Sequence, residues 1–481
     1  MLAHLLAATL AALPAPSTPA PAPAGRGSAG RTVLTVLAAG APRQAVPRPP
    51  RLAEALLAAV VEAAIQELHD AGPEEGTCPG APACPWPLPQ VAAPLHLDLA
   101  VIRLDEAGRA VEAANVIVDP SAPLGQAVRL DRNLAATGVR FRRWSPERRE
   151  TPVSVPFADA DDLSPRHGRG LDFMAPYPAS LFKLLVAFHV EKRVAEGALW
   201  SGEVVGEAWR PPGSLGRFQP PEARPLSEWV ERMITESDNR ATMAVLRHLH
   251  ARGEVTRLNA GLARLGLETL QVEGTLPADG GRWAPGEIQA TAMDVARLLW
   301  LVAGGPGVLW RTPAGEPVTR EELPEPARQR LQALLADQAM HEALSSGSLC
   351  GAVPPGIPAL VPGRFLDPAS GLEAAGGQAW GRDVRPCNAR AEVRFLHKTG
   401  LTWNYASDAG LVEPLPGKPW RRYVVALVSA AGTRFVDPER ATALRHPCEE
   451  AAVCVNRRLS RLGAAIDAWA IQAAAWDARR R

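Results

Sequence analysis

Lysine is nearly missing from this chain of 481 residues: four of its 52 basic residues, Lys183, Lys192, Lys398 and Lys418, are lysines and the rest are arginines. A lysine placed inside an apolar run is therefore a candidate for chemistry that arginine cannot perform. A guanidinium keeps its proton in proteins, whereas burial and neighbouring cations can push an ammonium to the neutral amine. Charge of one sign is also lacking. The formal net charge is +1, with no dense basic tract apart from the final Arg479, Arg480 and Arg481, which argues against the concentrated basic face that nucleic acid requires. No CxxC pair and no Cys/His cluster of zinc spacing occurs, so no metal or other cofactor is expected. His248 and His250 in "RHLHARG" are two apart, point away from each other on a helix and read as surface residues.

What is present describes a folded protein: 47% of residues are hydrophobic and 21% charged, with length for two or three domains or for one domain with insertions. The opening "MLAHLLAATLAALPAPSTPAPAPAG" has an apolar stretch too short to span a bilayer, then small residues and prolines. It reads as a signal peptide with a cleavage site at Ala22-Pro23-Ala24, followed by a Pro/Ala-rich linker to residue 50. A second short apolar run, "RTVLTVLAAGA", is the alternative export signal. No membrane span is expected, and neither run is followed closely by a cysteine for a lipid anchor. Six cysteines agree with export. Cys78 with Cys84, Cys350 with Cys387 and Cys448 with Cys454 make three local disulfides, although fifteen connectivities are formally open.

Apolar spacing predicts a first helix over 51–72, a β-hairpin from 95–104 and 108–118, and helices from Ala179 to about Glu196 and over 226–236, 239–251 and 288–303. Segments 119–170 and 304–390 read as insertions, the second with a helical piece near 325–343. Strands return at 391–400, 405–414 and 420–432. A long helix follows, with Leu459, Leu462, Ile466, Trp469 and Trp476 on one face. The expected fold is α+β. An antiparallel sheet of N- and C-terminal strands is flanked by terminal helices (51–170 and 391–476), a helical lobe (171–303) stands beside it, and the site lies in the crevice between.

Three short motifs carry the chemistry. In "YPASLFKLL", Ser180 and Lys183 open a helix, where free N–H groups can stabilise an oxyanion and residues three apart share a face. To be half neutral near pH 7 that lysine must come down by about three pKa units, about 4 kcal/mol, which burial and a second cation can supply. Alone, the pair reads equally as a serine cap and a stretched lysine. Ser237-Asp238-Asn239 lies at a helix junction in "ITESDNRATMAVL", and Lys398-Thr399-Gly400 ends a strand in "FLHKTGLTWN". As an ordered set, with two of four lysines on the required positions, they argue against coincidence.

This set resembles the signature of the penicillin-recognising serine hydrolases, the class A β-lactamases and penicillin-binding proteins. The resemblance covers about 51–476 and implies a β-lactamase/transpeptidase-like catalytic domain. The Ser180 to Ser237 separation of 57 (237 − 180) is similar to class A; that from Ser180 to Lys398, 218 (398 − 180), is longer by about the second insertion. It implies Ser180 as nucleophile and Lys183 as its base. Ser237 would be the proton relay to the leaving nitrogen, and Asn239 the partner of the substrate's side-chain amide. Lys398 and Thr399 would bind the substrate carboxylate and help depress the pKa of Lys183. Gly400 and Leu401 would belong to the substrate-binding strand, and Ser180 and Leu401 would donate the oxyanion-hole N–H groups. Glu273, in "QVEGTLPADGG", stands at the class A position for the deacylating base. There Leu276 fits the E-x-x-L-N pattern, Pro277 replaces the asparagine, and Asp279 or Glu287 could substitute. The resemblance further implies a bacterial exported monomer, periplasmic or extracellular, acting on a β-lactam or a peptidoglycan peptide. The activity would be a β-lactamase, a D-alanyl-D-alanine peptidase or transpeptidase, or a non-catalytic β-lactam sensor or wall-binding module.

Overall fold

The computed structural model describes residues 48–70, 95–144, 162–164, 170–207, 222–276, 282–283, 287–375, 378–402, 404–436 and 447–480. The expected signal segment, the Cys78–Cys84 pair, Asp279 and the Cys448 side chain lie outside the described residues.

Seven strands form one antiparallel sheet. In chain order they are β1 (Leu97–Leu104), β2 (Ala110–Asp119), β3 (Ala122–Leu130), β4 (Ala136–Thr137), then β7 (Val393–Leu401), β8 (Ala406–Pro414) and β9 (Tyr423–Ser429). Between β4 and β7 a separate parallel pair, β5 (Val139–Arg143) and β6 (Leu171–Ala175), leads into the first motif. The sheet order is β7-β8-β9-β1-β2-β3-β4, so the N-terminal hairpin and the C-terminal strands share one sheet, as expected. Part of 119–170 also joins it, because β3 continues the hairpin.

Both faces of the sheet are covered, and the strand period of two sorts the side chains. Leu97, Leu99 and Val101 of β1, with Val425 and Leu427 of β9, face helices α1 (Leu52–Glu62) and α8 (Pro447–Arg480), where Leu459, Leu462 and Ile466 meet them. Trp469 of α8 is buried there too, while Trp476 is half-buried. A bidentate pair from Arg421 to Asp467 (2.9 and 2.8 Å), joined by the Tyr423 hydroxyl on the same carboxylate (2.9 Å), ties α8 to the sheet. The alternate residues, Ala100, Ile102 and Leu104 of β1 and Val424, Ala426 and Val428 of β9, face the helical lobe. Asp98 belongs to that face: its carboxylate accepts from Asn115 Nδ2 (2.6 Å) and from the Ala292 N–H (2.8 Å), capping a helix across the interface.

The lobe comprises α2 (Lys183–Ala195), α3 (Leu226–Thr235), α4 (Asn239–Ala251), α5 (Glu254–Arg264), α6 (Ala292–Ala303) and α7 (Glu325–Ala336). Two of these modify the expected layout. Helix α5 was not expected; its Val255, Leu258 and Leu262 repeat at helical spacing, but Gly261 and five interspersed polar residues mask the pattern. Helix α7 comes from the 304–390 stretch, yet Ala327, Leu331, Leu334 and Leu335 are buried in the lobe core. Length therefore conceals a structural helix inside what reads as an insertion. Within the same stretch Cys350 and Cys387 form the expected disulfide. His248 is buried beside Glu203 (3.7 Å), not on the surface, because the last turn of α4 is covered on that side. His250 is half-buried and meets the Thr275 hydroxyl at 2.7 Å.

Candidate active site

The first motif occupies a change of helix type. Pro178 begins a 3-10 turn, Ala179–Phe182, that runs directly into α2 at Lys183. Ala179 has φ +47°, an unfavourable left-handed conformation for a residue with a Cβ, and it turns Ser180 onto the exposed side of that start. Ser180 is half-exposed, whereas Lys183 is completely buried.

The second motif lies where α3 gives way to α4. Asp238 caps α4, accepting from Arg240 N (2.7 Å) and Ala241 N (3.2 Å), and it pairs with Arg232 (2.7 Å). That cap presents Ser237 and Asn239 to Lys183. The Lys183 amine donates to Ser237 O at 2.6 Å and Asn239 Oδ1 at 2.7 Å, and lies 3.3 Å from Ser237 Oγ. Two of these partners are carbonyl oxygens, which only accept. They fix two N–H bonds and leave the third position, a proton in the ammonium or a lone pair in the amine, to a hydroxyl. Ser237 has φ +56°.

The third motif approaches from the end of β7. Lys398, fully buried, donates to the same Ser237 Oγ at 3.0 Å and to Thr399 O at 2.6 Å. Gly400 lies against the first motif so closely that a Cβ there would sit 2.6 Å from Ser180 N, 2.9 Å from Leu181 N and 2.7 Å from Ser407 Oγ. Ser407 holds this junction by donating to Pro178 O at 2.5 Å. The Thr399 hydroxyl is within 3.4 Å of Ser407 O, and Leu401 ends the strand half-buried.

Electrostatics divides the two amines. Burial, then the charge of Lys398, holds Lys183 well below the ordinary lysine value, against the pull of Asp238. Burial lowers Lys398 to about 7, with Glu342 and Asp408 acting in the opposite sense.

Glu273 is placed differently. It follows a short strand pair, Gln271–Val272 with Ile288–Gln289, and its side chain is 49% exposed and 3.5 Å from Arg143. Among the described residues, no hydrogen bond or ion pair joins it to Ser180, Lys183, Ser237 or Asn239. Glu287 meets the same backbone: its carbonyl accepts from Glu273 N at 3.2 Å, and its carboxylate covers Gly274. The loop is anchored near the nucleophile through Trp283, whose Nε1 donates to the Tyr177 hydroxyl at 2.8 Å and whose ring packs on Phe182.

Behind Lys398 lies a group that sequence reading missed. Asp408 accepts from His397 Nδ1 at 2.7 Å and from Leu344 N at 3.1 Å, while His341 lies 4.5 Å from His397, ring to ring. A signal existed: Asp408 and His397 interrupt apolar strands at inward positions.

Among the described residues no group of His, Cys, Asp and Glu could hold a metal ion, and no helix is long and apolar enough to cross a membrane. Searching solved structures gives similarity to a PBP-A mutant in acyl-enzyme complex with penicillin G, at 16% identity and TM-score 0.42, covering 90% of this chain and 99% of that one. A β-lactamase from Chitinophaga pinensis is 15% identical, TM-score 0.36, over 63% and 86%. An ancestral class A β-lactamase is 19% identical, TM-score 0.35, over 59% and 84%. No curated protein matches the chain. Residues 175–446, more than half the chain and all three motifs, match the sequence model of the β-lactamase enzyme family, and the chain belongs to that family.

Proposed function

We propose that this protein is an exported serine hydrolase that opens β-lactam rings through an acyl-enzyme on Ser180. The observation that carries the reading is the convergence of a buried amine from each of two motifs on the single hydroxyl of Ser237. In this scheme Ser180 Oγ attacks the lactam carbonyl and gives its proton to the Lys183 amine. The Ser180 and Leu401 N–H groups stabilise the oxyanion. As the C–N bond breaks, Ser237 passes a proton to the leaving nitrogen and is resupplied by Lys183. The Asn239 amide, its Oδ1 engaged by Lys183, offers its NH2 end to the substrate side chain. Lys398 and Thr399 receive the carboxylate, while Gly400 lets the strand end pack against the first motif. Water then cleaves the ester, with Glu273 as base. The Cys350–Cys387 disulfide agrees with an oxidising compartment.

A second reading is favoured by the exposed Glu273 in its ion pair with Arg143 and by Pro277 in the loop. The same acyl-enzyme would then persist, as in a D-alanyl-D-alanine peptidase or transpeptidase. Intact-protein mass spectrometry after benzylpenicillin, followed over time, separates the two. A transient adduct with product accumulation is expected from the first reading and a long-lived adduct from the second. Ser180→Ala should show neither, and a wild-type protein with neither adduct nor hydrolysed product would sink both in favour of a binding module. Glu273→Gln gives the finer test. If Glu273 is the base, the adduct should persist at least about 100-fold longer than in wild type; an unchanged lifetime removes Glu273 from the mechanism.

A further inference from the structure

Three tyrosines occur in this chain, Tyr177, Tyr405 and Tyr423, and two of them meet at the nucleophile's turn with ring centroids 5.3 Å apart. Tyr177 is buried, three residues before Ser180. A phenylalanine would fill the same space with no hydroxyl to desolvate, so the hydroxyl itself is informative. It accepts at 2.8 Å from Nε1 of Trp283, which belongs to the loop that carries Glu273.

We propose that Tyr177 and Trp283 are positioning residues for deacylation: their hydrogen bond registers the Glu273 loop on the turn that bears Ser180. The proposal rests on the hydrolytic reading, in which a base on this loop activates water. Its ground is the set of ties on either side of Glu273. Trp283 straddles the nucleophile, bonded to Tyr177 before it and packed on Phe182 after it, with ring centroids 5.1 Å apart. Across a short hairpin Trp283 stands opposite Thr275, whose hydroxyl meets His250 Nε2 at 2.7 Å in the helix that opens with Asn239. One rung of the hairpin is thus fastened at one end to the first motif and at the other to the second. On the near side, Asn259 of α5 clamps Val272, accepting from its N–H at 2.8 Å and donating to its carbonyl at 2.9 Å. Glu273 and Gly274 therefore lie between two fixed residues.

The same aromatic path holds the other partner of Glu273. Arg143, 3.5 Å from that carboxylate, ends β5, and the next residue, Trp144, donates from Nε1 to the Tyr405 hydroxyl at 2.7 Å. Tyr405 packs on Tyr177, so both halves of the ion pair trace back through an indole and a tyrosine to the turn before Ser180. A half-exposed ion pair alone holds a carboxylate weakly; the buried bonds give the loop its place. A general base works only within hydrogen-bond reach of its proton, and misplacement by about 1 Å can cost about 10²-fold. Acylation instead draws on Lys183, Ser237 and Lys398, which among the described residues are bonded to one another and not to this loop. Loss of the tie should therefore fall on one step.

Tyr177→Phe keeps the ring and loses the acceptor, while Trp283→Phe keeps an aromatic face for Phe182 and loses the donor. In intact-protein mass spectrometry with benzylpenicillin, each adduct should live at least about tenfold longer than in wild type, with acylation rates within about twofold. Because both changes remove one bond, the double variant should do no more than the longer-lived single. Unchanged lifetimes in the folded variants overturn the proposal, as do lifetimes that multiply in the double variant or acylation slowed by the same factor. If one single variant fails to fold, the other decides alone. A wild-type adduct that never clears defeats the hydrolytic reading instead, and hydrogen exchange then judges the tie: amides of 272–276 should exchange faster in both variants, and unchanged exchange overturns it. A prolonged adduct in Tyr177→Phe beside an unchanged lifetime in Glu273→Gln upholds the positioning role and hands the base to another carboxylate of the loop.

Discussion

Lys183→Met should slow acylation by benzylpenicillin about 10²–10⁴-fold, the range lost with a general base, while raising the melting temperature. The two effects have one cause. Lys183 is fully buried and held well below the ordinary lysine value, so the folded protein disfavours its charged form. Methionine has similar length and no charge to desolvate. The carbonyls it abandons belong to half-buried Ser237 and exposed Asn239, which can turn to water. The gain comes from the proton that Lys183 must release on folding, which methionine does not carry. Because the folded-state value lies below the unfolded one, the unfolded chain binds more protons between them, and wild-type stability rises with pH across that interval. The advantage of Lys183→Met should therefore be largest at low pH and shrink toward about pH 10.4. Melting curves at several pH values check this, and an advantage that grows with pH would falsify it. Lys183→Arg should lose acylation equally and melt lower, since its charge cannot be released.

Gly400→Ala is the second large effect. One methyl group would meet backbone nitrogens of Ser180 and Leu181 at 2.6 and 2.9 Å, and backbone on both sides leaves no flexible end to move. Either β7 retreats or the 3-10 turn does, and both displace the N–H of Ser180. Loss of one oxyanion donor typically costs about 10²–10³ in rate, and the overpacking about 1–3 kcal/mol. A single-turnover acylation assay beside a thermal melt measures the two. Near-normal acylation would show that the junction is slack and that the Ser180 N–H has no such role.

The two sides of this site differ in how far sequence displayed them. Ser180, Lys183, Ser237, Asn239, Lys398 and Gly400 were legible because each motif is short and its neighbours are local: a helix start, a helix junction, a strand end. The sheet was legible for a similar reason, since β1 alternates at its start and the C-terminal strands are joined by short turns. Glu342, His397 and Asp408 were not. His397 and Asp408 show only as polar residues interrupting apolar strands, Glu342 shows nothing, and what joins them arises only when a stretch near 341 is folded against strands more than fifty residues later. Helix α7 was expected as a helical piece near 325–343; what its irregular neighbours concealed was its place in the lobe core. Distance along the chain, more than weak propensity, set the limit.

Ala179 and Ser237 carry positive φ on either side of the site, each costing of order 1–3 kcal/mol. Seen across possible descendants of this sequence, that makes the two positions narrow gates. Glycine relieves the backbone at either, β-branched residues are all but barred, and at position 237 relief removes the hydroxyl between the lysines. Random drift toward greater stability would thus tend to erode this centre, and only selection for its activity would keep Ser237 where it is.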